Sequence, residues 1–200
     1  MRDMIIQLRG TNGSGKTWIV KQVMNTYEFK TIVNRDREIM GYYSKEINLF
    51  IVGRYTYSCG GCDNIHTQDE ICARIYKAAS KGWNVLFEGL LPSHLASRFV
   101  KLYKDMQEQS VDCYFIFLTT PLEQCYENIM TRRKASGRRS KKEPRAYITE
   151  YNNVVKSMYN MEKQGVPKSS LLELSAQEAL YFIIEKMLSL IHISEPTRLA

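Results

Sequence analysis

The sequence predicts an α/β fold, a mainly parallel sheet with helices on both faces and a basic lid segment. Three observations predict it. The apolar run Met4-Ile5-Ile6-Gln7-Leu8 leads into a glycine-rich turn, and the turn leads into an amphipathic helix. Further strand-like and helix-like segments then alternate along the chain, which is the pattern of parallel sheets covered on both sides. Finally, Cys113-Tyr114-Phe115-Ile116-Phe117-Leu118 is continuously apolar, as a central parallel strand buried on both faces requires.

The first element carries the strongest chemical signal. Gly10-Thr11-Asn12-Gly13-Ser14-Gly15-Lys16-Thr17 completes the pattern G-x-x-x-x-G-K-[ST]. Glycines let the backbone wrap around phosphate so that several N–H groups converge on one anion, and the helix that follows adds the positive end of its dipole. After Lys16, the residues Ile19, Val20, Val23, Met24 and Tyr27 recur at helical spacing. The motif thus sits between a strand and a helix. It predicts that Gly10, Asn12, Gly13, Ser14, Gly15, Lys16, Thr17 and Trp18 hold a nucleoside triphosphate, ATP with Mg²⁺. Lys16 is expected to reach the outer phosphates and the Thr17 hydroxyl to ligate the metal.

Downstream, strands are expected at 31–33, 39–43 and 47–52, followed by an irregular loop from Gly53 to His66. Thr67-Gln68-Asp69-Glu70 is a capping box opening a helix to about Ser80. Asn84-Val85-Leu86-Phe87-Glu88 reads as the next strand, and one helix is expected from about Ser93 to Gln109. Thr120-Pro121-Leu122-Glu123 combines an N-cap, a proline at the first helical position and a capping glutamate. The helix it opens delivers Arg132 and Arg133 at its far end. Tyr147, Tyr151, Val154, Val155 and Met158 predict another helix, ending near Gly165. Leu171–Leu174 predicts a last strand, and Ser175 to Glu178 caps a final helix to about Met187.

Glu88 closes an apolar strand beside the phosphate loop. That position suits a Mg²⁺ ligand acting through water, or a base for an attacking hydroxyl. In the Gly53–His66 loop, Arg54 is a candidate anion partner, Asp63 a candidate for a sugar hydroxyl, and Tyr55 a candidate to stack on a base. Cys59, Cys62, His66 and Cys72 offer four possible zinc ligands, although a second spaced cysteine pair is absent.

The net charge of +7 is concentrated in one place. Between Thr131 and Arg145 stand Arg132, Arg133, Lys134, Arg138, Arg139, Lys141, Lys142 and Arg145, against the single acid Glu143. The rest of the chain is neutral. A surface coated for general nucleic-acid binding would spread its charge more widely; one patch suits a local polyphosphate. Arginines arriving there on closure would stabilise a transferring phosphoryl group. No apolar run approaches the ~18 residues of a membrane span, and the five cysteines are an odd number without an export signal. The expectation is a cytoplasmic protein with no membrane partner.

On these motifs the chain resembles the P-loop nucleoside and nucleotide kinase superfamily, which includes adenylate, thymidylate and uridine kinases. Val85 to Pro92 is similar to the acid-glycine strand end of those enzymes. Arg132-Arg133-Lys134-Ala135-Ser136-Gly137-Arg138-Arg139 occupies the place of their arginine-rich lid, and Ser169 to Leu180 is similar to their last strand and base-proximal loop. The resemblance implies ATP-dependent phosphoryl transfer to a small hydroxylated acceptor, a nucleoside or nucleotide. It implies Lys16, Glu88 and the arginines 132, 133, 138 and 139 as the catalytic groups. One departure bears on the acceptor. Ser93 and His94 follow Pro92, where adenylate kinases place an arginine for the acceptor phosphate. A kinase acting on a polynucleotide 5′-end, with nucleic acid as partner, and an NTP-dependent switch or ATPase are the alternative expectations. The domain is expected over residues 1–187. Leu188 to Arg198 resembles a translated sequencing-library adapter, so 188–200 is read as a non-native tail.

Overall fold

The computed structural model describes residues 3–56, 60–137 and 144–191. Seven strands form one sheet: β1 (Met4–Arg9), β2 (Lys30–Val33), β3 (Ile39–Ser44), β4 (Leu49–Val52), β5 (Asn84–Glu88), β6 (Asp112–Leu118) and β7 (Leu171–Leu174). Their spatial order is β2-β3-β4-β5-β1-β6-β7. The two pairs β2/β3 and β3/β4 are antiparallel, and every other pair is parallel. The mainly parallel sheet is therefore observed, with an antiparallel meander at one edge.

The helices are α1 (Lys16–Thr26), α2 (Gln68–Ala79), α3 (Leu90–His94), α4 (Ser97–Glu108), α5 (Leu122–Ala135), α6 (Pro144–Lys163) and α7 (Ala176–Ile191). Alternation along the strands divides the core. Ile5, Phe50, Val85, Phe87 and Phe115 face α2, α4 and α6, where Ile71, Phe99, Leu102 and Met161 are buried. Ile6, Leu8, Ile51, Leu86 and Ile116 face α1 and α7, which contribute Ile19, Val20, Ile183 and Met187. β1 is buried along its whole length because it lies between β5 and β6 with helices above and below.

Three local expectations are corrected. Ile47 does not begin β4; it is buried in the Lys45–Asn48 turn, which Asn48 closes at φ 45° while its amide donates to Gly82 O at 2.7 Å. The helix expected from Ser93 to Gln109 is broken into α3 and α4. The buried Arg9 guanidinium draws in the carbonyls of Ser93 and Leu95 at 2.8 Å each, so Leu95 is extended. Thr120 does not cap α5. Pro121 stands at the N-cap without a side-chain bond, because the Thr120 hydroxyl donates to Ser14 O at 2.9 Å.

The capping box predicted at α7 is observed in full, whereas at α2 only its Thr67 half forms, because the Glu70 carboxylate pairs with Arg74. Thr67 Oγ1 accepts from Glu70 N–H at 3.1 Å, and Ser175 and Glu178 exchange reciprocal bonds. α7 extends through Ile191 rather than closing at Met187. Among the described residues no helix is long and apolar enough to cross a membrane.

Phe99 is fully buried against Phe87, with ring centroids 5.6 Å apart. Phe99→Ala should cost about 3–5 kcal/mol, the usual range for emptying an aromatic core site. Urea unfolding of parent and variant measures it.

Candidate active site

The β1–α1 turn is shaped for an anion. Gly13 has φ 80° and Gly15 has φ 101°, a region that side chains rarely adopt. At Gly13 a Cβ would stand 2.2 Å from Cys125 O, so only glycine fits between the loop and α5. The loop's carbonyls are turned outward and bonded. Thr11 O accepts from Ser14 N–H and Ser14 Oγ, Gly13 O from Asn128 Nδ2 at 2.8 Å, and Ser14 O from Thr120 Oγ1. Asn12 Nδ2 donates to Glu150 Oε2 of α6 at 3.0 Å. The N-terminal amides of α1 keep the orientation that suits phosphate.

Lys16 is 6% exposed, and its Nζ donates to Gly10 O at 2.7 Å and Thr11 O at 2.8 Å. Burial lowers its pKa, an effect opposed by the fields of Glu88 and Asp63. Glu88 is 1% exposed at the end of β5, paired in register with Leu8 of β1. Its Oε1 accepts from Thr17 Oγ1 at 2.9 Å. Burial pushes the Glu88 carboxyl up to about 7; Lys16 and the Thr17 bond pull it down, and Asp63 adds to the rise. A hydroxyl and a carboxylate brought together at the phosphate loop are hard oxygen donors, a set that fits Mg²⁺.

These groups border a cavity of about 570 Å³. Asn12 to Trp18 line it on one side; Gly60, Asp63 and Glu88 on another; Thr120, Asn128, Arg132 and Ala176 on the rest. Trp18, 44% exposed, and Lys21 form part of its wall. Gly10 lies outside this lining. Its N–H donates to Ser93 Oγ at 3.2 Å, and that hydroxyl donates to Gly89 O at 2.5 Å. Ser93 therefore ties the start of the phosphate loop to the residue after Glu88.

The candidate acceptor residues separate. Asp63 borders the cavity, but its carboxylate accepts from the backbone N–H of Leu90 and Leu91, at 2.8 and 3.3 Å from Oδ1. Tyr55 is corrected: at 6% exposed and edge-on to Tyr42, its ring has no free face to stack on a base. Arg54 is not brought to the phosphate cavity; it lines a neighbouring groove. Arg132 reaches the cavity from the last turn of α5, whereas Arg133 lies over the Tyr147 ring, 6.0 Å from its centroid. Arg138 and Arg139 lie outside the described residues, as does Cys59. Among the described residues no group of three or more His, Cys, Asp or Glu side chains is placed to hold a metal ion.

Sequence reading missed Thr120 as a loop anchor and Ser93 as a link to the loop, and missed Asn128, Glu150 and Arg9 altogether. Arg9 was open to notice, being a charged residue ending an apolar strand. It is fully buried and bonds Gln7, Ser93, Leu95 and Ser157. The partners of the loop carbonyls are 106 and 115 residues away, and no local pattern marks them.

A model of the family described as 5-hmdU DNA kinase matches residues 1–170. A 5-hmdU DNA kinase of Pseudomonas phage PaMx11 is 34% identical over 139 residues, which are 67% of this chain and 71% of that protein. A 5-hmdU DNA kinase 1 of Salmonella phage ViI is 26% identical over 66% of this chain and 60% of its own length. Among solved structures, a deoxyadenosine kinase from M. mycoides aligns with a TM-score of 0.41 at 14% identity, covering 93% of this chain and 99% of the other.

The electrostatics give a pH prediction. Because the folded-state pKa of Glu88 is raised to about 7, folded protein holds a proton there that the unfolded chain has released. This stabilises the fold fully below the unfolded pKa and is lost as pH rises through about 7. Glu88→Gln removes the dependence. Without nucleotide, the variant should gain stability relative to the parent between pH 5 and pH 8, on the order of 3 kcal/mol. Denaturant titrations across that range measure it.

Proposed function

The chain belongs to the 5-hmdU DNA kinase family, and from that premise we propose that it transfers the γ-phosphoryl group of ATP to the hydroxymethyl oxygen of 5-hydroxymethyldeoxyuridine within DNA. That the protein is a P-loop kinase stands on the family and on the fold. The acceptor is the proposal, and the observation that carries it is the family match along residues 1–170. A feature of the site supports a base-borne hydroxyl rather than a mononucleotide phosphate. Ser93, where adenylate kinases hold that phosphate with arginine, is fully buried and turned inward to Gly10 and Gly89.

In this reading the amides of the phosphate loop and Lys16 bind the β- and γ-phosphates. To do so, Lys16 exchanges its carbonyl partners for phosphate oxygens. Thr17 and, through water, Glu88 would hold Mg²⁺, and the ion would supply positive charge against the phosphates there. Glu88, with its carboxyl poised near neutrality, takes the proton of the acceptor hydroxyl as that oxygen bonds to the γ-phosphorus. The bond to the β–γ bridging oxygen breaks, and ADP leaves. Arg132 stabilises the charge spread over the transferred group, with the lid arginines 133, 138 and 139 as further candidates.

Labelled ATP tests this with four acceptors: an oligonucleotide carrying one 5-hmdU, its thymine counterpart, the free nucleoside, and an oligonucleotide with its 5′-end blocked. Label should enter the 5-hmdU strand whether or not the 5′-end is blocked. Transfer to unmodified 5′-hydroxyl ends alone would make the protein an end kinase, and release of phosphate without transfer an ATPase. On the productive acceptor, Arg132→Ala should lower turnover by about 10³-fold with little change in ATP affinity.

A further inference from the structure

We infer that a second groove, behind the loop that walls the phosphate cavity, holds the phosphodiester backbone of the acceptor strand next to the reacting base. The inference rests on the DNA-kinase reading above. The groove encloses about 450 Å³ and is lined by Arg37, Arg54, Arg74 and His66, with Glu38 and Glu70.

Its position is set by the Gly53–His66 loop, which has two working faces. Gly60 and Asp63 border the phosphate cavity; Arg54, Asn64 and His66 border the groove. The wall between them includes two backbone segments of that loop held side by side. Gly61 N–H donates to Arg54 O at 3.1 Å, and a Cβ on Gly53, at φ 98°, would stand 2.4 Å from Gly61 O. A strand that delivers a base over this ridge toward Glu88 therefore lays its neighbouring phosphates in the groove.

The charges in the groove suit that ligand. Glu70 is held in an ion pair by Arg74, which also donates to the carbonyls of Ile39 and Met40. The Glu38 carboxylate accepts from Asn34 Nδ2 at 2.8 Å. With Glu70 and Arg74 paired to each other, Arg37 and Arg54 are the remaining guanidinium groups that line the space, beside Glu38 and His66. Arg37 is exposed at φ 62°, an uncommon conformation for an arginine. It is fixed there by its N–H bond to Asn34 O at 3.1 Å and by the bond from Glu38 N–H to Asn34 Oδ1. The tight turn thereby fixes the backbone from which Arg37 reaches the groove's rim. Arg54 Nε donates to Thr56 Oγ1 at 3.0 Å, which holds the base of its guanidinium. A free nucleoside needs only the phosphate cavity. A second cationic groove across that wall serves an acceptor that carries several phosphates, because such contacts position a strand without reading its sequence.

The test compares the parent with Arg37→Ala and with Arg37→Ala/Arg54→Ala. Anisotropy of a labelled single-stranded oligonucleotide carrying 5-hmdU is followed against salt, and phosphorylation of that oligonucleotide is compared with phosphorylation of the free 5-hmdU nucleoside. The double variant should bind the oligonucleotide roughly tenfold more weakly at low salt. Its log–log salt slope should be shallower by about 1.4, two contacts at the single-strand value. The loss should appear in KM for the oligonucleotide and not in turnover of the nucleoside. The thermal shift given by ATP reports separately that the variants are folded and that the nucleotide site is intact. If the parent binds and phosphorylates the oligonucleotide and both variants match it in affinity and salt slope, the groove assignment is overturned. If the parent phosphorylates no DNA acceptor, the DNA-kinase reading and the groove fall together.

Discussion

The structure depends on where the carbonyls of Thr11, Gly13 and Ser14 in the phosphate loop find their donors. A loop presents its amides to an anion only if its carbonyl oxygens face the other way and find donors there. Here the donors come from across the molecule. Asn128 arrives from α5, and Thr120 from just beyond β6. The Thr120 bond also accounts for the unusual start of α5, whose N-cap is a proline without a side-chain bond. Likewise the break between α3 and α4 follows from Arg9, which draws on carbonyl acceptors because, among the described residues, no carboxylate is bonded to it. Burial of that guanidinium lowers its pKa to about 9, a cost offset by its bonds and by the Phe99 and Phe117 rings over which it lies. Segments that look irregular alone are thus set by the needs of the loop and of one buried cation.

The chemistry of the site follows from burial of two opposite charges near a third. Lys16 and Glu88 are both desolvated, which pushes the lysine down and the carboxyl up, while their mutual attraction opposes both shifts. The outcome, without nucleotide or metal, is a carboxyl raised to about 7. Asp63 belongs to the same field and also fixes the start of α3 through the amides of Leu90 and Leu91.

Much of this was legible in the sequence. The glycine pattern with Lys16 and Thr17, the apolar strands ending at Leu8, Glu88 and Leu118, and the capping boxes at Thr67 and Ser175 are local signals, and local physics fixes them. What was not legible depends on contacts between distant residues. Tyr55 reads as an exposed aromatic in a glycine-rich loop, yet Tyr42, thirteen residues earlier, accepts the Tyr55 backbone N–H with its hydroxyl oxygen and packs edge-on against its ring. Arg54 was identified as a cation for an anion, but the backbone wall at Gly53 and Gly61 decides which of two cavities it faces. Ser93 appeared only as the absence of an arginine, whereas its hydroxyl links the phosphate loop to the strand end that carries Glu88.

The central claim is that this loop, and Lys16 within it, grips the phosphates of ATP. Thermal unfolding with and without Mg-ATP tests it most directly. At about 100 times the dissociation constant, ligand that binds only the folded state adds roughly 2.7 kcal/mol. The parent should show that gain, and Lys16→Ala, with its own folding verified without ligand, should lose most of it. An unmutated protein whose melting temperature is unmoved by ATP at any Mg²⁺ level would contradict the account.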